Sequence, residues 1–220
     1  MVVKFLVRAC AVSVLFLALV SSQCAVADEH DGIADRVGDG DPVAGEAKSK
    51  AELCQGCHGE QGNSSGAEYP RLAGQYADYI MKQFRDFRSG ARQHHVMNAV
   101  AGSIKDEDLA DIAAYFASRD RVRSQQKKSN EIAEKLFVNG DMKRTIMACA
   151  SCHGTAGQGS YVGSESFPAI AGQHKLYLRE QLLKWRALER KNSPGGVMNL
   201  VAKSLRDEEI EALADYISGM

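Results

Sequence analysis

Four cysteines form two pairs with the same internal spacing. Cys54 and Cys57 stand three apart in CQGCHG (54–59), and Cys149 and Cys152 stand three apart in CASCHG (149–154). A histidine, His58 or His153, follows each pair at once. C-x-x-C-H is the attachment signature of c-type haem. Two thiols three positions apart reach the two vinyl groups on one edge of a porphyrin and form thioether links. The adjacent histidine then turns under the iron and supplies an imidazole nitrogen. Six cysteines and six histidines in 220 residues would give roughly 0.004 such matches by chance, and here there are two. A zinc site would place its two C-x-x-C pairs about 15–20 residues apart, and a thioredoxin-like motif would need a βαβ pattern. Neither is present in the sequence.

The remaining cysteines, Cys10 and Cys24, lie in a leader. Lys4 and Arg8 precede the apolar run ACAVSVLFLALV (9–20), and AVA (25–27) is a small-x-small cleavage site. Residues 1–27 are therefore read as a cleavable signal peptide, with export to the periplasm. The run is short for a membrane span. An exported protein would be expected to spend cysteines on disulfides, yet all four that survive cleavage sit in the two motifs. Loss of Lys4 and Arg8 takes the net charge from −1 to −3, so nucleic acid is not an expected partner. The acidic segment 28–42, with six acids against Arg36, reads as a solvated tail, and RVRSQQKK (121–128) as a linker.

The second half of the chain restates the first. YPRLAGQ (69–75) matches FPAIAGQ (167–173), VMN (96–98) matches VMN (197–199), and LADIAAYFAS (109–118) matches IEALADYISG (210–219). The period is too long for a solenoid and suits two small domains. Their expected extents are 43–120 and 131–220, joined by 121–130. Each is expected to be helical. Asp41 and Pro42 look like an N-cap and first helical position for a helix over 43–53, and Ser129 or Asn130 like the cap of its counterpart. Tyr76, Ile80, Phe84 and Phe87 recur at helical spacing, matched by Leu178, Leu182 and Trp185, and Gly90 ends the first of these helices. No alternating strand stands out. Domains of 80–90 residues without disulfides have marginal cores, which haem would enlarge.

The sixth iron ligand decides what such a haem can do. Methionine raises the potential and fills the last position, leaving a haem that carries electrons. The repeat selects Met97 and Met198, each between valine and asparagine, whereas Met81 and Met220 align with arginines. Met142 and Met147 fall on the proximal side. His94 and His95 are rival ligands for the first iron, but the second copy has no histidine there. His174 and His30 read as packing or solvated residues.

Taken together, 28–220 resembles the dihaem cytochromes c4, which are all-α with two tandem class I cytochrome c domains, each wrapped around one covalent haem c. The resemblance rests on C-x-x-C-H, P-x-[LI]-A-G-Q, VMN and the last helix with its A-x-Y-[IF], all present twice. It implies two haem c groups, with His58 and Met97 on one iron and His153 and Met198 on the other. It also implies that the carbonyls of Pro70 and Pro168 receive the Nδ1–H of the two histidines. Lys105 and Arg206 depart from it, because a serine or threonine cap is expected at the last helix of each domain. The implied function is that of a one-electron carrier, not an enzyme. It would work in the periplasm, free or peripherally held at a membrane, between a quinol-oxidising complex and a terminal oxidase, and as a monomer. The alternative is the haem subunit of a periplasmic dehydrogenase such as a flavocytochrome sulfide dehydrogenase, which a neighbouring flavoprotein gene would reveal. A dihaem peroxidase would need an open iron, against which Met97 and Met198 speak.

Overall fold

The computed structural model describes residues 36–122, 129–162 and 165–220. The expected signal peptide, the start of the acidic segment and the middle of the linker lie outside the described residues. Two helical domains follow one another. The first contains α1 (Pro42–Ala51), α2 (Cys54–His58), α3 (Ala77–Ser89), α4 (His95–Ser103) and α5 (Asp106–Ser118). The second contains α6 (Glu131–Asn139), α7 (Ala150–His153), α8 (Lys175–Arg186), α9 (Val197–Lys203) and α10 (Asp207–Ser218). In each, the first helix crosses the last, and the central helix packs against the last two.

Local chemistry sets the helix ends. The Asp41 carboxylate accepts from the N–H groups of Val43 and Ala44 at 2.8 and 3.3 Å, and Asn130 Oδ1 accepts from Ala133 N–H at 3.0 Å. The first helix stops two residues before the expected 53, and Leu53 turns left-handed at φ +58° before the haem motif. Gly90 closes α3 as expected, at φ +79°. The missing serine or threonine at the last helices has two outcomes. Lys105 makes no side-chain cap bond. At Arg206 the cap comes from the third residue of α10, since the Glu209 carboxylate accepts the Arg206 backbone N–H at 2.9 Å. Glu209 is buried and also receives Arg144 at 2.8 and 3.0 Å.

The crossing of α1 and α5 depends on a glycine. A Cβ on Gly45 would lie 1.9 Å from the Asp111 carbonyl oxygen, so the two backbones meet where no side chain fits. In the second domain the α6–α10 contact includes Phe137 against Tyr216, with ring centroids 5.8 Å apart. The two cores are separate. One gathers Ile80, Phe84, Phe87, Leu109, Ile112 and Phe116, and the other Leu136, Phe137, Ile146, Leu178, Leu213 and Ile217.

One expectation is corrected. The loop before Pro168 contains a two-stranded antiparallel ribbon, β1 (Ser160–Val162) with β2 (Glu165–Phe167), in the register Ser160 to Phe167. Three residues per strand are too few for an alternating pattern to show in sequence. Tertiary contact supports the ribbon: Tyr161 packs edge-on to Tyr76 at 4.8 Å and donates its hydroxyl to Asp78 at 3.3 Å.

Candidate haem-binding site

A cavity of about 660 Å³ takes its walls from both domains. Its lining includes Cys54, Cys57, His58 and Met97 from the first, and Cys149, Cys152, His153 and Met198 from the second. No disulfide pairs the four cysteines, so all four sulfurs are available to a ligand in the cavity.

Each histidine has its proton placed by a carbonyl. His58 Nδ1 lies 2.8 Å from Pro70 O, and His153 Nδ1 lies 2.7 Å from Pro168 O. A carbonyl only accepts, so Nδ1 carries the hydrogen and Nε2 keeps its lone pair. Both rings are buried, and burial lowers both below the ordinary histidine range. Neutral imidazole with a free Nε2 is the form that binds a metal.

Met97 and Met198 are half-buried, and each stands in the first turn of a short helix, α4 or α9. Different caps hold these turns. His94 Nδ1 accepts from Met97 N–H at 3.4 Å, and Ser193 Oγ accepts from Met198 N–H at 3.2 Å. The histidine absent from the second copy thus has a structural counterpart in a serine. His95 stacks on His94 with ring centroids 5.0 Å apart.

The residue after each methionine was not singled out from the sequence, although its repetition in VMN was visible. Asn98 Nδ2 donates to Phe87 O and Arg92 O at 2.6 and 3.0 Å. Asn199 Nδ2 donates to Trp185 O and Arg190 O at 2.7 and 2.8 Å. Both asparagines fasten a methionine segment to the end of a central helix.

The donor set and the walls fit haem. Apolar side chains line the cavity on both sides, among them Ile80, Phe84, Val100, Leu178, Trp185 and Val201. Haem also brings carboxylates, and the cavity has cations to meet them. Arg92 and Arg190 are both buried, and neither forms an ion pair among the described residues. Instead they share neutral acceptors across the domain boundary. Arg92 donates to Gln83, Tyr177 and Gln181, and Arg190 donates to Gln181, Tyr79, Gln83 and Asn192. Each also covers an aromatic ring, Arg92 over Phe87 at 4.6 Å and Arg190 over Trp185 at 4.3 Å. Arg71 Nε is buried without a hydrogen-bond partner, and Arg71 lines the same cavity. A buried guanidinium without a carboxylate suits an anionic group that arrives with a ligand.

Fold and site together define a tandem pair of helical haem-c domains. The family model described as Cytochrome c matches residues 43–120 and 134–220, and the chain belongs to that family. It is 37% identical over 196 residues to "Cytochrome c4" of Thiocapsa roseopersicina, an alignment covering 88% of this chain and 98% of that one. It is 38% identical over 181 residues to the "Thiosulfate dehydrogenase electron acceptor" of Stutzerimonas stutzeri (strain A1501), covering 80% of this chain and 82% of the relative. Reduced recombinant cytochrome c4 from Pseudomonas stutzeri superposes with a TM-score of 0.76 at 34% identity, over 83% of this chain and 100% of that one. The protein is a dihaem c-type cytochrome, a carrier of electrons rather than an enzyme. No helix among the described residues is long and apolar enough to cross a membrane.

Proposed function

We propose that Cys54 and Cys57 hold one haem covalently and Cys149 and Cys152 the other, with His58 and Met97 as axial ligands of the first iron and His153 and Met198 of the second. The observation that carries this reading is the same in both domains. A buried histidine has its Nδ1 occupied by a proline carbonyl, and a methionine from a short helix lines the same cavity. When bound, each haem supplies a one-electron ferric–ferrous couple. The chain's own residues fix the imidazole tautomer, exclude water with apolar walls and fill both axial positions, so electron transfer is favoured over ligand chemistry.

In this reading the protein is exported by its leader and works in the periplasm as a monomer. It takes electrons one at a time from a quinol-oxidising complex and delivers them to a terminal oxidase. A second reading has it serve a periplasmic dehydrogenase as electron acceptor, and the likeness to a thiosulfate dehydrogenase electron acceptor favours it. Two mixing experiments separate the readings. Reduced protein is mixed with oxidase-containing membranes, and oxidised protein with a thiosulfate-oxidising dehydrogenase and its substrate. Rapid oxidation in the first and no reduction in the second supports the respiratory role, and the reverse supports the dehydrogenase role.

A further inference from the structure

The two A-G-Q turns exchange glutamines across the domain boundary. Gly74 and Gly172 adopt φ of +64° and +67°, and their N–H groups bond the carbonyls of Phe116 and Ile217 near the ends of α5 and α10. The glutamine that follows each turn reaches the other domain. Gln75 Oε1 accepts from Ala169 N–H at 2.9 Å while its Nε2 donates to Ala169 O at 2.9 Å. Gln173 Oε1 accepts from Arg71 N–H at 2.9 Å while its Nε2 donates to Arg71 O at 2.9 Å. Both side chains are buried. The amide orientation is fixed by its partners, since each Oε1 also accepts the N–H of the next residue, Tyr76 or His174, at 3.2 or 3.0 Å.

The amide groups on the receiving side are those that meet the histidines. Pro168 O and Ala169 N belong to one peptide bond, as do Pro70 O and Arg71 N. Each of these peptides therefore accepts a histidine Nδ1–H on its carbonyl and donates its N–H to a glutamine of the other domain. In a trans peptide the C=O and N–H point opposite ways, so the three groups form a chain. Donation from the N–H polarises the amide and makes its carbonyl a stronger acceptor. A stronger bond at Nδ1 makes the imidazole a more basic ligand, which favours ferric iron and lowers the potential.

We propose that the glutamine of each domain tunes the haem of the other: Gln75 the haem of His153, and Gln173 the haem of His58. The proposal rests on the reading that His58 and His153 are axial ligands. Gln75 offers the cleaner test. Its target residue is Ala169, which has no charge to move, whereas loss of Gln173 also disturbs Arg71, whose Nη1 donates to Gly172 O.

The test follows the ring protons of His58 and His153 by NMR during a redox titration of the full holoprotein, so that each haem reports its own reduction equilibrium. Gln75→Met removes the acceptor and keeps the bulk. It should raise the potential of the His153 haem by roughly threefold in its reduction equilibrium, about 30 mV at 59 mV per decade, and leave the His58 haem in place. The His153 Nδ1–H resonance should move towards that of a weaker hydrogen bond. Gln75→Glu, which retains the acceptor and adds charge, should shift the His153 haem the opposite way. Gln173→Met should repeat the pattern on the His58 haem. A shift confined to the haem of the altered glutamine's own domain, an equal shift of both haems, or no shift with unchanged Nδ1–H resonances would overturn the proposal. If wild-type protein has no hyperfine-shifted histidine ring signals, the ligand assignment itself fails, and the proposal with it.

Discussion

Replacing Asn98 with alanine should loosen the first methionine without touching it. The Asn98 side chain makes three hydrogen bonds: it accepts from His94 N–H at 2.6 Å and donates to Phe87 O and Arg92 O at 2.6 and 3.0 Å. A hydrogen bond contributes about 0.5–1.5 kcal/mol net. The groups are only part-buried, so those left behind regain water, and three bonds together are worth about 2 kcal/mol rather than the top of the range. At 1.4 kcal/mol per tenfold, the open form of the segment carrying Met97 becomes roughly 30-fold more populated. An external ligand such as imidazole binds ferric iron only where methionine has left, so its apparent affinity scales with that open population. Titration of oxidised Asn98→Ala with imidazole should show one haem binding roughly 30-fold more tightly than in wild type, and the other unchanged. Asn199→Ala should move the effect to the other haem, since it breaks the matching bonds to Trp185 O and Arg190 O. Wild-type imidazole affinity in a folded Asn98→Ala protein would refute the reasoning, because the segment would then be held by something other than these bonds.

Changing both Cys149 and Cys152 to alanine should unfold the second domain and leave much of the first, because its cavity walls would lose the apolar plate they enclose. Helicity by circular dichroism and limited proteolysis would show it. Gly45→Ala places a Cβ 1.9 Å from the Asp111 carbonyl, so α1 and α5 must part. The loss in chemical denaturation should reach at least the ~1–3 kcal/mol of ordinary overpacking. Burial pushes the Glu209 carboxyl up, but bonds from Arg144 and the Arg206 backbone outweigh this and hold it below the usual carboxylate range. Its folded value is lower than its unfolded one, so its stabilisation is present above the unfolded value and fades as pH falls through the folded one. Glu209→Gln should therefore lower Tm at neutral pH and flatten the acid limb of the Tm–pH curve.

The features that could be read from the sequence are those that one segment encodes by itself. C-x-x-C-H binds its ligand within five residues, Asp41 and Asn130 cap their own helices, and the spacing of Ile80, Phe84 and Phe87 is set by one helix. Duplication supplied the rest of the local reading, because Met97 and Met198 stand out only when the halves are aligned. The structure brings both into the cavity that holds His58 and His153. What stayed hidden depends on pairs of segments. Gln75 and Gln173 were visible as part of a repeated turn, but nothing local says that each bonds the opposite domain. Nothing local marks Arg92 or Arg190, because the groups that bury them, Tyr177 and Tyr79, belong to the opposite domain. The ribbon of 160–162 with 165–167 escaped because its strands are too short to show a pattern, and the Tyr76 ring that packs on it comes from the other domain.

The central claim is that two irons each have one histidine and one methionine. The sulfur-to-iron charge-transfer band of oxidised protein, counted per chain, tests it most directly. Protein with two haems by mass should show two equivalents of the band, with Met97→Ala and Met198→Ala each removing one and lowering or opening the corresponding haem. A band of one equivalent or none in wild type, or two equivalents that survive either substitution, would contradict the account.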